Sequence, residues 1–229
     1  MNSRRTVSLL VIFCLLSTTS CMEMLERVFF RSNGGGTYTF AINMSGMKSL
    51  LAGYGEELDM KDLMNEIKMG DSTLTRKMGG IEGISNIKAN FDTTNFTIEM
   101  SFEFANLEAL NQGISAYYHD ESSPLDIEQY TLYEQKGGEI IRTNQNVMLD
   151  QIMKSIKEEA GGSEELDMEF VEMFLSDMKY TQEISFENEI KKFSNDEYTR
   201  TNSNTITWTK YLFNKLDVKS NIGVKVKTK

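Results

Sequence analysis

Cysteine occurs only twice in these 229 residues, at Cys14 and Cys21, and histidine only once, at His119. With both thiols inside the first 21 residues, the rest of the chain can build neither a disulfide framework nor a thiolate metal site. A Cys–His catalytic pair is excluded as well, and no cofactor or metal is expected. His119 lies in the polar segment "YYHDESSP", shortly before the sole proline, Pro124, and reads as a solvent-exposed side chain. No G-x-S-x-G elbow supports a serine triad. Walker, G-x-G-x-x-G and EF-hand spacings are missing too, and the triple glycine Gly34–Gly36 lacks the helix and lysine that would cradle a phosphate. Adjacent carboxylates such as Glu56-Glu57, Glu158-Glu159 and Glu164-Glu165 point about 100° apart on a helix, which marks solvated faces rather than an acid–base pair.

No apolar run is long enough to span a membrane. Thr6–Leu16 would cover about 16 Å as a helix, against a hydrocarbon core of about 30 Å. It reads instead as the centre of an export signal, with Arg4 and Arg5 before it and the small polar residues Ser17–Ser20 after it. Together with Cys21, these residues resemble the lipobox of bacterial lipoproteins. There the peptidase requires small side chains at the cut and the thiol accepts diacylglycerol. The resemblance implies a signal peptide over 1–20 and a lipidated Cys21, held in a membrane by two or three acyl chains such as palmitate. Met22 is not the Asp that retains some such proteins in the inner membrane, which points to the outer membrane, with the domain facing either the periplasm or the cell surface.

Acidic side chains outnumber basic ones, 34 to 24. Removing residues 1–20 takes away Arg4 and Arg5 and no acidic group, so the formal charge moves from −10 to −12. Such a surface repels nucleic acid and anionic lipid, and no nucleic-acid partner is expected.

Residues 21–36 read as a lipidated tether hinged at the three glycines. For Phe29 and Phe30 two other readings stand: the membrane interface, or the start of a strand. Beyond the glycines, "TYTFAINM" alternates Tyr38, Phe40, Ile42 and Met44 against polar neighbours, as a half-buried strand does. Asp59 caps a helix with Met60, Leu63, Met64 and Ile67 on one face. "ISNIKANFDTTNFTIEMSFEF" is a β-hairpin turning at Asp92–Asn95. Asn106 then caps a helix carrying Leu107, Leu110, Ile114 and Tyr117. A second hairpin turns at Gly137-Gly138. Two helices follow, one with Leu149, Ile152, Met153 and Ile156 on a face, the other starting at Ser163. Strands at Tyr180–Phe186, Thr205–Phe213 and Ile222–Val226 close the chain, with Trp208 facing inward beside Ile206. The expectation is a single α+β domain over 37–229: a mostly antiparallel β-sheet of hairpins and a C-terminal meander, packed with several amphipathic helices.

The 15 methionines are the most suggestive excess. Methionine fills irregular cores, and it also recurs where a surface accommodates varied apolar partners. The helix from Ser163 carries two apolar stripes, which need burial on two sides or a groove that a ligand fills. Met148, Met153, Met168, Phe170, Met173 and Phe174 are the candidate ligand-binding residues.

The C-terminal stretch "YTQEISFENEIKKFSNDEYTRTNSNTITWTKYLFNKLDVKSNIGVKVK" is similar to the last β-meander of LppM-type bacterial lipoproteins and related Bacteroidota envelope lipoproteins. In these a strand leads to an Asn-containing turn, a short strand ending in Thr-Trp, and a final strand. Asn195, Thr207 and Trp208 fill those places. "FANLEALNQGI" resembles the family's step from a Phe-rich strand into a helix. The resemblance implies an exported, lipid-anchored α+β domain, linked in some members to lipid binding, and it carries over no catalytic residue. The expected function is therefore a non-enzymatic envelope lipoprotein that binds an apolar ligand, such as a lipid, or a protein partner. The alternatives are an envelope hydrolase and a structural subunit of an envelope assembly.

Overall fold

The computed structural model describes residues 22–46, 75–92, 94–118, 130–145, 178–211 and 221–229. They form eleven strands and one long helix: β1 (Glu23–Phe30), β2 (Gly36–Asn43), β3 (Ile84–Asp92), β4 (Thr97–Phe104), α1 (Leu107–Tyr118), β5 (Tyr133–Lys136), β6 (Glu139–Arg142), β7 (Lys179–Phe186), β8 (Ile190–Phe193), β9 (Thr199–Asn202), β10 (Thr205–Tyr211) and β11 (Val224–Thr228). Seven strands make one sheet in the order β3-β4-β2-β1-β7-β10-β9, and four make a second in the order β5-β6-β11-β8. Every pairing is antiparallel except that of β1 with β7.

The most consequential difference from the sequence reading is β1. Residues assigned to a tether form a central strand of the larger sheet, paired with β2 on one side and β7 on the other. Its inward residues are Met24, Glu26, Val28 and Phe30, all buried. A glutamate in that row conceals the alternation that would otherwise announce a strand. The glycines after it are no hinge. They close the β1–β2 hairpin, and a Cβ on Gly36 would stand 1.9 Å from the Phe29 carbonyl oxygen and 2.5 Å from the Phe104 ring.

Elsewhere the alternating stretches are strands as expected. In the β3–β4 hairpin, Asp92 Oδ1 accepts from the backbone N–H groups of Thr94 and Asn95, at 2.8 and 3.1 Å. The two-residue loop between β5 and β6 has positive φ at both Gly137 and Gly138 (61° and 74°), the conformation whose twist suits a tight hairpin. Trp208 and Ile206 both face the core from β10. Two strands come without sequence warning. β8 has only four residues, and β9, "TRTN", is exposed along its whole length at the sheet edge.

The fold is α+β with β dominant. Among the described residues, helix amounts to α1, one turn at 75–78 and residues 45–46, so the several amphipathic helices are not met there. The stretches on which that expectation rested, from Asp59, around Met153 and from Ser163, lie outside the described residues.

α1 begins at its expected cap, with Asn106 Oδ1 accepting from Ala109 N–H at 2.9 Å. It buries Ala109, Leu110 and Ile114. Its Asn111 also does the work of a missing strand. The side-chain oxygen accepts from the N–H groups of Leu132 and Tyr133 at 2.9 and 3.0 Å, and the amide donates to the Tyr133 carbonyl at 2.8 Å. That satisfies the backbone where the chain enters β5. Both sheets and α1 share one core, in which Phe30 stacks on Phe186 and meets Phe104 and Tyr133 edge-on, at centroid distances of 5.3, 5.8 and 5.7 Å.

Candidate functional site: a buried polar network behind an open cleft

Register places polar side chains in the middle of this core. Glu26 on β1 stands opposite Gln182 on β7, which stands opposite Trp208 on β10. Glu26 is 3% exposed and Gln182 fully buried. Buried polar groups are tolerated when they are hydrogen-bonded, and these are. Tyr180 and Tyr133 both donate their hydroxyls to Glu26, the latter at 3.2 Å. Gln182 Nε2 donates to the Tyr133 hydroxyl at 3.4 Å, and Tyr198 donates to Gln182 Oε1 while lying 2.7 Å from the Ile222 carbonyl oxygen. Tyr133 belongs to the smaller sheet and Glu26 to the larger, so the network ties the two sheets together.

Arg142 on β6 completes the group. It is 2% exposed, lies over the Tyr133 ring at 5.5 Å, and donates from one guanidinium nitrogen to the carbonyls of Thr143 and Gln145, each at 2.7 Å. Burial works most strongly against its charge, but the Glu26 carboxylate and the phenols of Tyr133, Tyr180 and Tyr198 together outweigh it and hold the guanidinium pKa above its ordinary value. Burial first, and the field of Glu26 second, push the phenols of Tyr38, Tyr118, Tyr133 and Tyr180 well above their ordinary 10.0. These tyrosines therefore stay neutral, and Tyr133 and Tyr180 serve as donors. The hydroxyls of Tyr38 and Tyr118, and Nε of Arg142, are buried without a hydrogen-bond partner.

Such a network holds its members in place and shields them from substrate. The surface that can meet a ligand lies next to it. At the Phe30 end of β1 a cleft of about 530 Å³ opens between the β1–β2 turn, the start of α1, the β5–β6 turn, the β7–β8 turn and the end of β11. Phe30, Phe186 and Val226 form its floor, and Arg31, Asn33, Asn106, Glu108, Gln135 and Asn188 stand around it. Behind that floor, Phe30 rests on Tyr133, whose hydroxyl is the one held by Glu26. The β1–β2 turn is pinned across the cleft mouth, because Glu187 accepts from both the N–H and the hydroxyl of Ser32, at 2.7 and 2.5 Å. These bonds draw the Glu187 carboxyl below its usual pKa range. Arg31 pairs with Glu103 at 3.5 Å.

The residues singled out from the sequence, namely Cys21, Met148, Met153, Met168, Phe170, Met173 and Phe174, all lie outside the described residues, as does His119. Glu26, Gln182 and Arg142 were missed, because nothing in residue type separates a buried charged group from a solvated one. The available signal was period-two spacing, Met24-x-Glu26-x-Val28-x-Phe30, read through the glutamate. Among the described residues no cluster of three or more His, Cys, Asp or Glu side chains is arranged to hold a metal ion. No helix there is long and apolar enough to cross a membrane.

No protein-family model matches the chain, and no curated protein matches it. Among solved structures it is similar to the NMR structure of the folded domain of Mycobacterium tuberculosis LppM, at 7% sequence identity and a TM-score of 0.41, over 91% of each chain.

Proposed function

We propose that this chain is a lipid-anchored lipoprotein of the cell envelope, placed on the outer membrane, whose domain binds a ligand or partner and catalyses no reaction. The anchor rests on the sequence: Arg4 and Arg5, the apolar stretch Thr6–Leu16, the small residues Ser17–Ser20 and then Cys21. The observation that carries the binding role is where the cleft sits on β1. That strand starts at Glu23, two residues after Cys21, and ends at Phe30 in the cleft floor. Seven rises of about 3.3 Å separate the two ends of the strand by roughly 23 Å. An acyl anchor on Cys21 would thus hold one end of the sheet at the bilayer and turn the cleft toward the aqueous side.

Expression of the full chain with labelled palmitate in a Gram-negative host tests the anchor. The expected result is a labelled protein in the outer-membrane fraction, and an unlabelled Cys21→Ser protein that leaves it. Label retained by Cys21→Ser, or absent from the unaltered chain, would overturn the proposal.

A further inference from the structure

The cleft is ringed by side-chain amides with hydrogen-bonding capacity left over. Among the described residues the side chains of Gln135 and Asn188, both exposed, make no hydrogen bond at all. Asn33 and Asn106 use only their oxygens, which accept from Gly35 N–H at 3.0 Å and Ala109 N–H at 2.9 Å, so their NH₂ groups remain available. The charged side chains lining the cleft are one of each sign, Arg31 and Glu108, the Glu187 carboxylate is held by Ser32 at its mouth, and the Arg31 guanidinium is already paired with Glu103. Beneath this rim the floor is carbon.

We infer that the cleft binds a neutral saccharide of two or three sugar units. Each sugar hydroxyl both donates and accepts, and a primary amide offers both functions at a fixed spacing, so unused amides match vicinal hydroxyls. The carbon floor suits the C–H faces of a pyranose ring. Competing ligand classes fit less well. A phosphate or carboxylate would need net positive charge, but it would meet Glu108 in a protein of formal charge −10. An acyl chain would strip water from four amides and return no hydrogen bonds. The volume of about 530 Å³ lies inside the range of roughly 300–1,000 Å³ usual for small-ligand sites.

This inference deepens the binding-protein reading and rests on it. Saturation-transfer NMR on the full-length protein in detergent, with maltotriose, mannotriose and chitotriose as probes and trialanine as the competing class, tests it. Transfer to at least one trisaccharide is expected, with affinity about tenfold or more weaker in the Gln135→Ala/Asn188→Ala double variant, the difference that about 1.4 kcal/mol produces. Both side chains are exposed and unbonded, so the variant should keep the circular dichroism of the parent. Silence from all three sugars, or sugar binding unchanged in the variant, would overturn the inference. Amide-dependent binding of trialanine without sugar binding would overturn it too, while leaving the binding-protein reading in place. Palmitate labelling of Cys21 decides the anchor independently of any of these outcomes.

Discussion

Glu26 and Gln182 face each other across the parallel pairing of the two central strands, and one phenol from the opposite sheet, that of Tyr133, bonds to both. The arrangement fixes how the sheets sit on each other more narrowly than apolar contact could, because a slip of either sheet would strand a buried carboxylate. It also sets the position of Tyr133, and through it of Phe30 in the cleft floor.

Removing the carboxylate should therefore be costly. Glu26→Ala leaves the buried hydroxyls of Tyr133 and Tyr180 without their acceptor and removes the carboxylate whose field favours the buried Arg142 charge, and is expected to destabilise the fold by about 2–5 kcal/mol in urea unfolding. Adding Arg142→Met should restore part of the loss. A cost under about 1 kcal/mol for the single variant would mean that the network contributes little.

Alkaline pH should unfold the protein through its tyrosines. Tyr38, Tyr118, Tyr133 and Tyr180 have folded pKa values raised well above 10.0, first by burial and then by Glu26, and burial alone takes Tyr117 up to about 12. In the unfolded chain they ionise near 10. Their contribution is complete below that pH and falls as pH rises from there toward the folded values, because the unfolded state sheds protons that the folded state keeps. Phenolate absorbance in the near ultraviolet should accordingly rise in step with loss of ellipticity above about pH 10. Independent, gradual ionisation of all tyrosines with ellipticity intact would contradict this.

Trp208 is 3% exposed, meets Tyr180 edge-on at 5.9 Å and lies 3.3 Å from Glu197 through its indole N–H. Trp208→Ala is expected to cost about 3–5 kcal/mol, as for other large buried aromatics, measured by circular dichroism in urea. Near-native stability would place the indole at the surface.

Asn111 pairs the backbone at the entry to β5, so Asn111→Ala should lower stability by about 2 kcal/mol or more by leaving two N–H groups and a carbonyl unpaired. Hydrogen exchange at Leu132 and Tyr133 should quicken by more than at any residue of β10. Unchanged exchange there would show that water replaces the amide without loss.

What could be read from the sequence was whatever obeys a clean period. β2, β4, β3 beyond its bulge at Ser85–Lys88 and the middle of β10 alternate, and α1 carries both its apolar stripe and its Asn cap. β1 broke the rule with one inward glutamate. The arrangement into two sheets was hidden for a different reason: alternation says that one face is buried, but not against which strands. β9 gave no apolar signal, since an edge strand exposed on both faces can be polar throughout. The cleft was invisible because turns far apart in sequence build it: Asn33, Asn106, Gln135 and Asn188 come together only once both sheets are closed.

The parallel pairing of β1 with β7 also imposes an order in time. Glu23 and Lys179, joined at 2.8 Å, are 156 residues apart. At synthesis rates of about 5–20 residues per second, roughly 8–30 s separate the emergence of these two partners. During that interval β1 can pair with β2, but its other edge stays open, a row of unpaired backbone groups beside Val28 and Phe30 that invites pairing with foreign strands. Pairings this distant in sequence also form slowly. The middle of the larger sheet is thus among the last parts to be completed, and a chain cut short before Lys179 would keep its first hairpins but lose its centre.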